Sequence, residues 1–224
     1  MIVRMARRDA AETYTPETLL AVAVEVFNRR GYDGTSMEHL SQAAGISKSS
    51  IYHHVRGKEE LLRRAVGRAV DRLFAILDEP AAREGRAVER LEYVARRTAQ
   101  VLIDELPYVT LLLRVRGNTD TERWAMQRRR EFDHRVADLV QAAVADGDLR
   151  GDIDARLATR LLFGMINSVV EWYRPDGAVP GADGAAPRAD HGTAGHGGED
   201  GGNRVVEAVV RLAFEGLRAR PDTP

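Results

Sequence analysis

The sequence predicts an all-α protein in two parts, a small N-terminal unit of three short helices followed by a larger helical one. Three observations carry that expectation. Apolar residues recur at three- and four-residue spacing along most of the chain, Gly and Pro interrupt the pattern at helix-length intervals, and no strand-type alternation competes with it.

The first helix reads from Thr15-Pro16-Glu17 to Gly31, with Leu19, Val22, Ala23, Val26 and Phe27 on one face. Proline suits a first turn, where its missing N–H had no intrahelical partner, and glycine suits the C-terminal cap. Thr35-Ser36-Met37-Glu38 reads as a capping box in which Thr35 and Glu38 satisfy free backbone N–H groups. Met37, Leu40 and Ala44 form the apolar face of that second helix, and Gly45 ends it. Ser47 is the next N-cap, opening a helix from Lys48 to His54 that turns Ile51 and Val55 inward.

Beyond Gly57 the stripe Leu62, Ala65, Val66, Ala69, Leu73, Ile76 and Leu77 predicts one long amphipathic helix ending at Pro80. Further helices read as 85–105, 106–115, 119–145, 154–174 and 204–218, divided by Pro107, Gly117-Asn118 and the turn at Gly147 to Gly151. Residues 176–203 hold 9 of the 20 glycines and no Leu, Ile or Phe. Such a stretch buries too little apolar area to offset its ordering entropy, so a disordered insertion is expected there. The expected domains are 10–57 and 58–219.

The chain has 224 residues, no cysteine and a net charge of -1. A disulfide framework, a thiolate zinc site and a cysteine nucleophile are thereby excluded. No apolar stretch follows Arg4, Arg7 and Arg8, and no run approaches membrane-spanning length, so the expected location is cytoplasmic, without a membrane partner. Residues 1–72 carry 12 Lys and Arg against 9 Asp and Glu, a mild positive bias. There is no glycine-rich phosphate loop, His-Glu-x-x-His or nucleophile elbow, so neither an enzyme nor a cofactor is expected. Asp146 to Asp154 has the aspartate rhythm of a calcium loop, but Arg150 and Leu157 occupy two ligand positions and make it an acidic turn. His191 and His196 offer at most adventitious metal binding.

Two short helices joined at Ala44-Gly45-Ile46 have helix-turn-helix spacing, in which the second helix enters the major groove of DNA. Lys48, Ser49, Ser50, Tyr52 and His53 fall on its outer side and supply charge, hydroxyls and an aromatic for phosphates and base edges. The alternative is a pair of packed helices with Tyr52 in the core, or a vestigial motif on a protein-binding adaptor. Arg4, Arg7 and Arg8 read either as an arm into the adjacent groove or as a solvated charge run.

These residues resemble the TetR family of bacterial regulators. The resemblance runs through Phe27 to Ser36, Gly45-Ile46-Ser47-Lys48-Ser49-Ser50-Ile51-Tyr52-His53-His54-Val55 and Lys58-Glu59-Glu60-Leu61-Leu62. It implies operator contacts, largely to phosphates, by Thr35, Ser47, Lys48, Tyr52, His53 and Lys58. Ser49 stands where the family commonly has glycine and Val55 where it commonly has phenylalanine, so the operator cannot be borrowed from relatives.

For the remaining residues the resemblance implies a small-molecule effector and a homodimer. The segment Leu161 to Tyr173 is apolar nearly all round, as a helix between its own core and a partner would be. Leu161, Met165 and Val169, with Val206, Val209 and Leu217 of the last helix, are the expected dimer seam; an ordinary core helix is the alternative. Phe74, Tyr93, Tyr108, Trp124, Phe132, Phe163 and Asn167 are the candidate effector contacts, and Asn167 stands out because an amide in so apolar a stretch needs a partner.

Arg114, Arg116, Arg123, Arg128, Arg129, Arg130 and Arg135 form the densest positive run. They read either as a solvated face interleaved with acids or as a phosphate site for a coenzyme A thioester. The Arg116-Gly117-Asn118 and Glu171-Trp172-Tyr173-Arg174-Pro175 segments resemble the acyl-CoA-sensing branch. The functional expectation is a repressor released from a palindromic operator when an acyl-CoA shifts the long helix at 58–78; the alternative effector is an uncharged hydrophobic or aromatic compound, as in control of an efflux gene.

Overall fold

The computed structural model describes residues 15–175 and 197–218. Arg4, Arg7, Arg8, His191 and His196 lie outside them, as does 176–196 of the expected insertion. The helices are α1 (Pro16–Arg30), α2 (Met37–Ala44), α3 (Lys48–His54), α4 (Lys58–Asp78), α5 (Pro80–Arg83), α6 (Ala87–Asp104), α7 (Leu106–Arg114), α8 (Asp120–Ala145), α9 (Ala155–Trp172) and α10 (Gly197–Leu217). Among the described residues the only β pairing is an isolated bridge between Leu149 and Arg218. The chain divides into two compact units at Ala65–Val66, so the first two turns of α4 belong to the head and the rest to the body.

In the head, Leu19, Phe27, Leu40, Ile51, Leu61 and Leu62 are essentially inaccessible to solvent. Each such side chain contributes roughly 1.5–3 kcal/mol on burial, which is what holds three helices too short to persist alone. Phe27 meets Tyr32 edge-on at 5.4 Å. Val55, the smaller residue under α3, is buried with them. The start of α2 differs from the sequence expectation by one residue. Ser36, not Thr35, is the N-cap; its hydroxyl accepts from His39 N–H, and His39 Nδ1 accepts from Ser36 N–H. Thr35 instead donates its hydroxyl to the Gly31 carbonyl at 2.7 Å and is buried.

In the body, α6 is the central helix, packed against α8, α10, α5 and α9, and α8 also packs on α9. Its buried stripe is Leu91, Val94, Ala95, Thr98, Ala99 and Leu102. Two elements depart from the sequence reading. Pro80 opens the four-residue α5 rather than only ending α4. α10 begins at Gly197, so 197–203 of the expected disordered insertion is helical. The close approach explains one glycine there: a Cβ on Gly202 would lie 3.1 Å from Ile103 and 3.2 Å from the Tyr173 hydroxyl. Three carboxylates of the acidic turn are committed, Asp148 to the distant Arg86, Asp152 to Arg150 and Asp154 as N-cap of α9. Among the described residues no helix is long and apolar enough to cross a membrane.

Candidate DNA-binding surface and effector cavity

The α2–α3 turn is set by Gly45, which adopts the left-handed conformation at φ 69° and donates its N–H to the Ser41 carbonyl. A side chain is strained there. Ser41 donates its hydroxyl to the Ile46 carbonyl at 2.6 Å, fixing the far side of the turn. Ser47 caps α3 by accepting from Ser50 N–H at 3.1 Å, and its hydroxyl lies 2.8 Å from those of Ser49 and Ser50. Ile51 and Val55 anchor the helix inward. Lys48, Ser49, Tyr52 and His53 are consequently exposed and Ser50 is half-buried.

Tyr52 is 53% exposed, so it is not a core residue. Lys48 pairs with Glu38; the hydrogen bond from Lys48 lowers the Glu38 pKa and the same bond raises that of Lys48. Both side chains are open to water, so the pair is weakly held and exchangeable for a phosphate. Thr35 and Lys58 are placed differently. Lys58 Nζ donates to the carbonyls of Tyr32 at 3.0 Å and Thr35 at 2.8 Å and lies 4.4 Å from the Tyr32 ring centroid. These two residues brace the turn after α1 against the start of α4 and are not part of the exposed α3 face.

The body contains a cavity of about 490 Å³ lined by α4, α6, α7, α8 and α9. Leu102, Val109, Leu112, Phe132, Ala137 and Phe163 line it and are buried, as are the lining threonines Thr98 and Thr159. Of the remaining polar lining, Arg130, His134, Arg156 and Arg160 are exposed, and Arg129 and Asn167 are half-buried; Asp133 opens on the cavity with protein crowded around its carboxyl. Four arginines thus face one carboxylate. Burial pushes the Asp133 carboxyl up, against the charges of Arg129, His134 and Arg160, and burial likewise pulls Arg129 down. Arg129 also donates to the Leu112 carbonyl at 3.4 Å. An apolar interior with a guanidinium-rich rim fits an amphiphile whose anionic group stays at the rim.

Phe132, Phe163 and Asn167 are brought together in this lining. Phe74 sits one ring behind, edge-on to Phe132 at 5.7 Å, with the Arg128 guanidinium 3.8 Å over its face. Tyr93 is committed elsewhere: it donates to Glu79, which Arg97 also holds at 3.1 Å. Those bonds lower the Glu79 pKa, the Arg97 bond first, and the bond to Glu79 raises the pKa of Tyr93. Tyr108 lies under Arg68 at 4.3 Å, beside the buried Glu105 that pairs with Arg68 and Arg72. Trp124 is half-buried on α8 and outside the lining.

The arginine run divides the same way. Arg123, Arg128 and Arg135 pair with Asp120 and Glu131, while Arg129 and Arg130 enter the lining. Arg156, Arg160 and Thr98 escaped the sequence reading, since periodicity assigns residues to a helix face without saying which faces meet.

The expected dimer residues separate into two sets. Leu161 is 59% and Met165 36% exposed, and with Leu157 they form an apolar ridge on α9 spaced one helical turn apart. Leu212 on α10 is 65% exposed. Val169, Val206 and Val209 are buried in the protomer's own core, and Leu217 is half-buried. The valines therefore offer no surface to a partner.

A helix-turn-helix head followed in the chain by a cavity-bearing helical body defines a ligand-responsive class of DNA-binding regulator. Residues 19–65 match the model of bacterial regulatory proteins of the tetR family, and residues 84–194 match the tetracyclin repressor-like C-terminal domain. The HTH-type transcriptional repressor KstR2 of Rhodococcus jostii is 30% identical over 171 residues, covering 72% of this chain and 80% of that protein. The chain belongs to the TetR family, whose members are transcriptional regulators and not enzymes. The crystal structure of a TetR regulator from Streptomyces coelicolor A3 is 66% identical, with a TM-score of 0.78, covering 92% of this chain and 94% of that one. The structure of AibR in complex with isovaleryl coenzyme A and operator DNA shares the fold at 20% identity and a TM-score of 0.68, covering 89% of this chain and 97% of that one.

Proposed function

We propose that the protein is a homodimeric repressor released from its operator by an anionic amphiphile, with an acyl-CoA thioester as the best fit. The observation that carries this reading is the cavity lining, four arginines against one aspartate beside a buried apolar interior. Arginine forks match phosphate oxygens, and the apolar part takes an acyl group. KstR2 is a repressor by name and AibR was solved with an acyl-CoA, which supports the same assignment.

The head, through Ala65, then serves DNA, and the body from Val66 the effector and the dimer. Ser47, Lys48, Ser49, Ser50, Tyr52 and His53 meet the groove, while Thr35 and Lys58 hold the α3 support in shape. Leu157, Leu161, Met165 and Leu212 form the seam. A two-fold dimer places two recognition helices about one DNA turn apart and requires a roughly palindromic site. α4 carries both Lys58 of the head brace and Leu73 of the cavity lining, so one continuous helix joins the two events. The effector acts by binding the non-operator state more tightly.

The experiment is a shift assay on DNA upstream of the protein's own gene and on duplexes enriched from a random library, with acyl-CoA thioesters, the corresponding free acids and uncharged aromatics. Release by thioesters alone is the expected result. Release by uncharged compounds alone would replace the anionic effector with the hydrophobic one.

A further inference from the structure

Gly164 lies in the middle of α9, where glycine is destabilising relative to alanine because it loses more backbone freedom on folding. Neither of the usual reasons for a glycine holds there. Unlike Gly45, it is not in the left-handed region, and unlike Gly202 it has no close neighbour, since a Cβ built on it would meet nothing within 4 Å. Gly164 is nevertheless exposed and in the cavity lining. Having no side chain, it lines the cavity with the backbone of α9 itself. It also stands where the two parts of the site meet: the preceding Phe163 is buried in the apolar interior, and Arg160, one turn earlier on the same edge of α9, is exposed in the charged rim.

We propose that Gly164 is the crossing point of the effector, where the slender chain joining its anionic end to its acyl end lies directly against the bare backbone of α9. The proposal rests on the effector reading above and adds to it. The rim arginines take the phosphates, the buried interior takes the acyl group, and the gap at Gly164 takes the unbranched chain next to the thioester of a coenzyme A conjugate. Mid-helix N–H and C=O groups are already spent within the helix, so the gap supplies room for close approach rather than a hydrogen bond. A single methyl placed there meets the neck of every such thioester, whatever the length of its acyl group. Gly67 in α4 and Gly216 in α10 also have open space where a Cβ would go, but they are outside the lining and serve as controls.

The test is calorimetric titration of the full-length protein and of its G164A, G164L, G67A and G216A variants with butyryl-CoA and dodecanoyl-CoA. G164A is expected to melt no lower than the unsubstituted protein and to bind both thioesters about tenfold more weakly, with G164L weaker still and the two controls unchanged. Undiminished binding by G164A and G164L, a penalty confined to dodecanoyl-CoA, or an equal penalty in the controls overturns the crossing point and leaves the acyl-CoA reading standing. Failure of both thioesters to bind the unsubstituted protein overturns that reading, and this inference with it. Leu161 and Met165 of the exposed ridge neighbour Gly164 on α9, so sedimentation separates the effector from a partner helix as the occupant of the gap. A G164A dimer as tight as that of the unsubstituted protein is expected; weakened dimerisation with undiminished thioester binding overturns the inference.

Discussion

The turns of the head and the cavity of the body treat their polar groups in opposite ways. In the head, Ser36 and His39 cap each other, Ser47 serves Ser50, and Lys58 spends its ammonium on two turn carbonyls. In the body cavity the arginines outnumber the one lining carboxylate. Satisfied groups build a rigid platform that presents α3, whereas the guanidinium excess of the cavity lining is left for a ligand's anionic group to balance. The contrast assigns affinity for DNA to a finished surface and responsiveness to an unfinished one.

The largest expected effect comes from breaking the seam that joins two heads on one operator. Leu161→Asp places a charge on the exposed α9 ridge and should give a monomer by sedimentation, with operator affinity reduced about 100-fold or more by loss of bivalent binding. The cavity should still bind its thioester, because Leu161 is not in the lining.

Removing rim charge is the next largest. Arg156→Ala with Arg160→Ala should weaken acyl-CoA binding about tenfold to a hundredfold by calorimetry, while effector-free operator binding stays unchanged. If the double substitution weakened DNA binding equally, the separation between finished and unfinished surfaces would not hold.

Lys58→Met tests the platform itself. Losing two charge-assisted hydrogen bonds should cost the head about 2 kcal/mol, read by denaturant unfolding, and weaken operator binding through that loss. Loss of DNA affinity at unchanged stability would return Lys58 to the phosphate-contact role that the family resemblance implies.

The smallest effect is electrostatic. Burial holds the Asp133 carboxyl above its ordinary range, so protonation on acidification removes the cavity's one negative charge early. An anionic effector should therefore bind more tightly as pH falls through that raised range, by about fivefold, in a background where His134→Gln removes the neighbouring imidazole. Asp133→Asn should hold the tighter affinity at every pH.

How much of this was legible in the sequence follows the same division. Helix ends of the head were readable because Pro16, Gly31, Gly45 and Ser47 act through their own backbone geometry. The slip at Thr35 arose where two adjacent hydroxyls both offered a cap and Glu38 favoured the wrong one; His39 closed the box instead. In the body, Tyr93 and Tyr108 looked like pocket aromatics until Glu79 and the Arg68–Glu105 pair, distant in sequence, claimed their surroundings. The arginines of α8 could be seen as a run, but their meeting with Arg156 and Arg160 depends on α8–α9 packing. Gly197 to Asn203 looked too poor in apolar residues for a helix, and tertiary approach to Ile103 and Tyr173 turns the missing Cβ of Gly202 into an advantage.

The central claim, that an anionic amphiphile in the body releases the head from DNA, is tested most directly by anisotropy of a labelled operator duplex. It would be titrated with an acyl-CoA for the unsubstituted protein and for the Arg156→Ala, Arg160→Ala double variant. The account predicts release of the unsubstituted protein, and a double variant that binds the duplex equally well but needs at least about tenfold more thioester to leave it. Release of both at the same thioester concentration would contradict it.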